Sequence, residues 1–503
     1  MLLAELARTS AEVASTRSRK AKVSALAACL RATPADERRI TVAYLAGTLL
    51  QRRTGLGWRS VATLPPPADD ATLTVAEVDA EFERIGLLAG AGSQAARADA
   101  VERLFGRATA AEQAWLRGLV TGEVRQGALD SLVQEALATA AGVSVTAVRR
   151  AAMLAGSTVA IADLAFEGED ALAAVGLTLG RPVLPMLASS ARSVAEAVER
   201  MDGPVAIDAK LDGIRIQVHR RGDEVVVASR TLDDLTTRLP HVVALARSLP
   251  SSAFVLDGEA LLVGSEGSPR PFQETSARTA TRELDDATDG VHGFFFDVLH
   301  LDGRDLHDEP LAERIGVLDA LVPAEHRVRR LVTDEVAAAE TFAAEVLRTG
   351  HEGVVIKDLD APWEAGRRGA GWVKVKPVHT LDLVVLAVEW GSGRRQGWLS
   401  NIHLGARDPD GDGFVMLGKT FKGMTDQMLA WQTERFTELA VNGTDGWVVH
   451  VRPEQVVEVA FDGIQRSSRY PGGLALRFAR VVRYRDDKTA AEADTLDAVR
   501  ALA

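Results

Sequence analysis

The sequence predicts three domains in a row: an all-helical first domain, an α+β second domain and a small β-barrel third. Three observations lead there. The chain has 503 residues, which at roughly 150 per domain is about three cores rather than one. Apolar positions recur at helical spacing up to about residue 165, and period-two strand signals dominate from residue 205 onward. The composition, 47% hydrophobic, 25% charged and 5% aromatic, is ordinary globular usage and excludes collagen-like, low-complexity and disordered classes.

The first domain is expected over 1–170. Leu132, Val133, Ala136, Leu137 and Ala140 fall on one stripe of a helix, and Pro65-Pro66-Pro67-Ala68-Asp69-Asp70 reads as a loop between helices. From Glu167-Gly168 to Pro185 the pattern weakens into a linker. The second domain, 181–379, opens with strand signals at Val205-Ala206-Ile207, Ile214 to Val218 and Val225 to Ala228, separated by Asp212-Gly213 and Arg221-Gly222-Asp223 turns. This predicts antiparallel sheet with interspersed helices. In the third domain, 380–503, short strands at Leu383-Leu386, Trp447-Val449 and Val456-Val459 continue around one helix near Met424 to Leu439, which suggests an OB-fold barrel.

Lys and Arg number 58 against 70 Asp and Glu, a formal charge of −12, so a wholly basic nucleic-acid coat is excluded and a local basic surface is not. Basic residues concentrate within 1–53 and again in Arg466, Arg469, Arg477, Arg480, Arg483, Arg485 and Lys488. The single cysteine, Cys29, excludes a disulfide framework and a Cys-rich zinc site and reads as a core residue. The first residues carry charge too early for a signal peptide, and no apolar run approaches the ~20 residues of a membrane span. A cytoplasmic protein is expected.

The chemistry lies in a series of short motifs. Lys210-Leu211-Asp212-Gly213-Ile214-Arg215 places a lysine where a strand runs into a turn, and by itself fits a plain Asp-Gly hairpin with flanking charges. Asp257-Gly258-Glu259 follows at the end of the strand Phe254-Val255-Leu256, then Phe294-Phe295-Phe296-Asp297 before Leu301-Asp302-Gly303, then Glu352-Gly353-Val354-Val355-Ile356-Lys357. Finally Trp372-Val373-Lys374-Val375-Lys376 alternates, so Trp372, Lys374 and Lys376 share one strand face.

In this order the motifs resemble those of the covalent nucleotidyltransferases, and closely those of the ATP-dependent DNA ligases of the bacterial, actinobacterial type. The resemblance covers nearly the whole chain. It takes in Leu45-Ala46-Gly47, Arg53-Thr54-Gly55-Leu56-Gly57-Trp58 and Gly122-Glu123-Val124-Arg125-Gln126-Gly127 of the helical domain. In the third domain it takes in Gly393-Arg394-Arg395 and Arg483-Tyr484-Arg485-Asp486-Asp487-Lys488.

The resemblance implies a helical DNA-binding domain, an adenylation domain and an OB-fold domain that encircle nicked duplex DNA, with ATP and Mg²⁺ or Mn²⁺ as cofactors and a monomer as the working unit. Lys210 is then the nucleophile that takes AMP from ATP. A lysine attacks only when neutral, and at the ordinary pKa of ~10.4 roughly one amine in a thousand is neutral near pH 7.4; Lys374, Lys376 and the metal are expected to make up the difference. Glu259 and Glu352 are implied as the acids near metal and ribose. Phe296 is implied as the adenine stacking face, with Asp208 beside the base. Arg215, Arg230 and Arg368 are implied to hold phosphates by bidentate contacts, and Arg485 and Lys488 to meet the departing pyrophosphate.

Two positions depart from the family pattern. Asp208 stands where Glu is expected two residues before the nucleophile, and Ala479 stands where Pro is expected. RNA capping or RNA ligation shares the lysine motif, but those families lack the helical domain. A non-catalytic OB-fold binder is opposed by intact Lys210, Glu259, Lys374 and Lys376, and the NAD-dependent ligase type by the absence of a Cys-rich module.

Overall fold

The computed structural model describes residues 1–51, 53–124, 126–127, 130–264, 269–270, 272–280, 290–364, 368–411 and 413–502. Arg125 lies outside them, as do the side chains of Arg368 and Arg394. The chain divides into two compact units, one from Met1 to Val375 and one from Lys376 onward. The helical and α+β segments, expected as separate domains, therefore share a unit. The helices bury a core of their own, from Leu3 to Leu172, and are joined to the α+β part where Met153 and Leu154 of the helix Val145–Ala155 pack in one cluster with Val183, Val255, Phe296 and Trp372.

From Leu3 to Ala173 the described elements are all helices. Their ends are set locally. Thr74 accepts from the Glu77 backbone and Glu77 returns a bond of 2.9 Å to the Thr74 N–H, a capping box that starts the helix Val75–Leu87. That helix buries Val78, Phe82 and Ile85, one face at three- and four-residue spacing. The expected stripe is buried from Leu132 to Leu137 in the helix Asp130–Ala141, and Cys29 is buried in the same core.

Among the described residues ten strands complete the first unit: β1 (Leu187–Ser190), β2 (Val205–Lys210), β3 (Ile214–Arg221), β4 (Glu224–Ser229), β5 (Ala253–Leu262), β6 (Val291–Leu301), β7 (Arg304–Asp305), β8 (Arg330–Thr333), β9 (Gly353–Asp358) and β10 (Arg368–Val375). They form two sheets, in the orders β1-β10-β9-β2-β8 and β4-β3-β5-β6-β7. Asp212-Gly213, expected to close a hairpin, instead carries the chain from one sheet to the other, since β2 pairs with β8 and β9 while β3 pairs with β4 and β5. Gly213 makes the crossing possible: a Cβ there would lie 2.5 Å from the Ala260 carbonyl oxygen. Asp257-Gly258-Glu259 likewise does not end a strand but lies inside β5, with Gly258 pressed so close to β6 that a Cβ would meet the Phe294 carbonyl oxygen at 2.6 Å.

Period-two alternation then sorts the side chains. Val205, Ile207, Ala209, Val354, Ile356, Val373 and Val375 pack beneath the helix Val336–Arg348. Ile216, Val218, Leu256 and Ala260 pack beneath the helices Pro240–Ser248 and Leu311–Leu321. The residues left over, Asp208, Lys210, Lys357, Trp372 and Lys374 on one sheet and Arg215, Asp257 and Glu259 on the other, belong to the opposite faces. The apolar parts of those faces meet around Val255, Phe296, Leu299, Trp363 and Trp372.

The second unit is β-rich, with β11 (His379–Trp390), β12 (Leu399–Arg407), β13 (Phe414–Thr420), β14 (Val448–His450), β15 (Val456–Phe461), β16 (Gly463–Arg466), β17 (Leu474–Arg477) and β18 (Arg480–Tyr484). The main sheet runs β13-β12-β11-β15-β18 with β14 also on β11, and β16 pairs with β17. The expected helix spans Asp426–Glu438, capped by Thr425, and buries Leu429 and Phe436 against the sheet core of Leu383, Val385, Leu404, Val457 and Phe461. Among the described residues no single helix is long and apolar enough to cross a membrane.

Candidate active site

Lys210 ends β2, where the register puts it opposite Gly353 of β9. The residue before Gly353 is Glu352, so strand pairing alone brings the two together. The Lys210 ammonium donates to the Glu352 carboxylate, and the Glu352 N–H donates to the Lys210 carbonyl at 3.1 Å. The side chains are 22% and 13% exposed, open to solvent at one edge. Glu352, expected near metal and ribose, thus stands here as the lysine's counter-ion.

Glu259 lies on β5 opposite Arg215 on one side and Phe294 on the other. Burial pushes its carboxyl up to about 7, against the pull of Arg215 and Lys210 and with a further push from Asp257 and Asp212. Among the described residues no side chain hydrogen-bonds this carboxylate.

Phe296 is only 9% exposed. The Arg215 guanidinium lies 4.6 Å from its ring centre, the Lys357 ammonium 4.5 Å, and Trp372 meets it edge to face at 5.8 Å. Three acid–base pairs, each with a buried acid, hold this group in place. Asp257 grips Arg215 through two bonds of 2.7 and 2.6 Å and accepts a third from the Trp363 indole at 3.2 Å. Asp297, next to Phe296, is bound by Arg314 at 2.8 and 3.1 Å, both fully buried. Asp208 is bound by Arg330 at 2.5 and 2.8 Å and lies 2.6 Å from the Lys357 ammonium.

Asp208 is therefore not free to face a base, as the sequence suggests it should. Burial alone would raise its carboxyl, but the charges of Arg330 and Lys357 outweigh that and hold it below the ordinary carboxylate range. Arg330 also donates to the Phe296 carbonyl at 2.9 Å, so Asp208 acts on the ring through Arg330. Arg215, expected on a phosphate, has its Nε and Nη2 committed to Asp257, while among the described residues nothing accepts from its Nη1.

The other expected residues are more scattered. Lys374 sits in a row with Val355 and Asp208 across β10, β9 and β2. Lys376 lies beyond the end of β10, at the start of the second unit, 4.0 Å from Asp462. Arg230 is exposed on the turn after β4, and the side chain of Arg368 is outside the described residues. In the second unit Arg485 donates to both oxygens of Asp382, at 3.2 and 2.9 Å, and to Asp487, while Lys488 donates to Asp382 at 2.6 Å.

Arg330, Lys357, Trp363 and Asp382 were not among the residues expected at these positions. Lys357 was within reach of sequence reasoning, because Gly353, Val355 and Lys357 alternate onto the Lys210 side of β9. Arg330, one basic residue in Arg327-Val328-Arg329-Arg330, and Asp382, one acid in an apolar strand, carry no local signal.

Residues 185–376 match the family described as ATP dependent DNA ligase domain, 395–488 the ATP dependent DNA ligase C terminal region, and 59–138 the DNA ligase N terminus. A probable DNA ligase of Nocardioides sp. strain JS614 is 68% identical over 506 residues, covering 99% of this chain and 98% of the relative. A probable DNA ligase of Beutenbergia cavernae is 65% identical with all of both chains covered. The solved structure Pmar-Lig_PreS3 superposes with a TM-score of 0.65 at 17% identity, over 95% of this chain and 99% of that one, which shows a shared fold.

Proposed function

The chain belongs to the ATP-dependent DNA ligases, enzymes that seal nicks in DNA at the expense of ATP, and for this member we propose the following residue roles. Lys210 is the nucleophile. The ammonium first passes one proton to Glu352, to which it is already hydrogen-bonded; the lone pair so freed bonds to the α-phosphorus of ATP as the bond from that phosphorus to pyrophosphate breaks, and the nitrogen then releases a second proton to solvent. AMP then passes from Lys210 to a 5′-phosphate, and the neighbouring 3′-hydroxyl attacks this phosphorus and expels AMP. Catalysis of such transfers is mainly positioning and electrostatics.

Phe296 stacks on the adenine, with Asp208 and Arg330 fixing its backbone. Arg215, Arg230 and Arg368 serve phosphates, with Lys374 and Lys376 adding charge, and Arg485 and Lys488 serve the pyrophosphate of the first step. A divalent cation, Mg²⁺ or Mn²⁺, fits the donor set: among the described residues no side chain hydrogen-bonds the Glu259 carboxylate, whose charge burial penalises and a cation would offset. This suits a metal bound by one or two acids, Glu259 and Glu352, plus substrate oxygens. Bound there, it would offset phosphate charge.

We read the second unit as an OB-fold, supported by three successive strands, a helix, and a return onto β11. We also propose that the protein works as a monomer, since one chain carries every proposed role, and that it acts in the cytoplasm on nicked duplex DNA. The observation that carries the account is the Lys210–Glu352 pair, brought together where β2 pairs with β9. Incubation with ATP, GTP or NAD labelled on the α-phosphate, followed by a denaturing gel, tests it: ATP alone should label the protein. Labelling by GTP would favour RNA capping, and no labelling a binding protein.

A further inference from the structure

Arg485 and Lys488 have like charges, yet both converge on one oxygen of Asp382, at 2.9 and 2.6 Å. Left alone, two cations so close repel. Asp382 offsets that repulsion, and its own position is fixed by the strand. It lies in β11 opposite Glu458 of β15; its N–H donates to Asp494 at 2.7 Å, and its carbonyl accepts from the Asp494 N–H at 2.8 Å. Asp487 holds the other edge of Arg485 through bonds of 2.8 and 2.7 Å, and the Arg485 N–H is tied to the Val456 carbonyl at 2.9 Å. The guanidinium is thus fixed on two edges while the side chains of Arg485 and Lys488 stay 14% and 31% exposed. Two cations preset at one spacing suit a ligand with several anionic oxygens, because the entropy of ordering two long side chains has already been spent.

We propose that Asp382 is a positioning residue for the first step of ligation: it holds Arg485 and Lys488 as one dicationic pair that accepts the pyrophosphate leaving group. The proposal rests on the roles given above to Arg485 and Lys488. Asp382 touches no substrate and acts through them. Because pyrophosphate leaves only in the first step, the effect of Asp382 is confined to that step; AMP transfer and sealing form and break bonds without it.

The test is the full-length chain carrying Asp382→Asn, which keeps the shape and one acceptor but removes the charge. Two reactions are measured on the same preparation: lysyl-AMP formation as a function of ATP concentration, and sealing of a nick already adenylated at its 5′ end. Losing the charge-assisted bonds should raise the ATP concentration for half-maximal adenylation at least about tenfold and leave sealing within about twofold. Asp382→Glu, which restores the charge, should recover part of the adenylation. Equal loss of both reactions would make Asp382 a structural residue and overturn the proposal. Tighter use of ATP by Asp382→Asn would overturn it in the other direction, by showing that the acid competes with phosphate. Arg485→Ala serves as the reference: if it spares adenylation, the roles of Arg485 and Lys488 fail; if it loses adenylation selectively while Asp382→Asn does not, only the role of Asp382 fails.

Discussion

Arg330 binds both carboxylate oxygens of Asp208, at 2.5 and 2.8 Å, and with the same Nη2 reaches the carbonyl of Phe296 at 2.9 Å. This relationship accounts for the shorter acid at 208. The Asp208 carboxylate fits between Arg330 and Lys357, and one more methylene would push into a space filled by two buried cations.

Asp208→Ala should leave Arg330 and Lys357 buried without a counter-charge and destabilise the first unit by about 3–5 kcal/mol, read as a fall in melting temperature. The acid is held below its ordinary range, so its contribution is present above the unfolded-state value and is lost as pH falls through the folded-state value. The gap between wild type and Asp208→Ala should therefore narrow in acid. Unchanged melting at neutral pH would refute the assignment.

Lys210→Arg should fold normally and form no acid-labile AMP adduct, since a guanidinium stays protonated and offers no lone pair. A wild-type level of labelled protein on a denaturing gel would remove Lys210 from the role of nucleophile.

Replacing Phe296 with Ala should have two effects that can be measured apart. Loss of a stacking face worth about 1–3 kcal/mol raises the ATP requirement roughly ten- to hundredfold. Because the ring also belongs to the core between the sheets, stability should fall by about 3–5 kcal/mol. A stability loss with an unchanged ATP requirement would leave Phe296 as a core residue only.

Glu389 in the second unit accepts from Lys419 at 2.5 Å, Asn401 at 2.6 Å and His403 at 3.0 Å. Burial would raise its carboxyl, yet these bonds lower it to about 2, while burial keeps His403 below its usual value, so the imidazole donates uncharged. Glu389→Gln should cost about 2 kcal/mol near neutral pH. The difference from wild type should be full above about pH 4.5 and vanish as pH falls toward 2, as pH-dependent melting curves would show; a constant difference across that range would count against it.

Binding to a nicked duplex should weaken steeply with salt, with a linear log–log dependence, if the basic concentrations in 1–53 and 466–488 meet phosphates and release counterions. A flat response between low and moderate salt, measured by titration on the catalytically silent Lys210→Ala chain, would exclude an electrostatic grip.

The helical stripe at 132–137, the alternation of Trp372 and Lys374 against Val373 and Val375, and the ordered motifs from Lys210 to Lys488 are properties of residue type and local spacing, so they are legible before any fold is known. Helix and strand periodicity depend only on neighbours a few residues away. The Lys210–Glu352 pair is different: its members are 142 positions apart and meet because β2 and β9 pair in one register. The same holds for Asp208 with Arg330 and for Asp382 with Arg485 and Lys488. Whether Asp212-Gly213 closes a hairpin or crosses between sheets also depends on which strands pair. A charge's partner is set by sheet register and burial, which are sums over the whole packed chain, and no local stretch of residues encodes them.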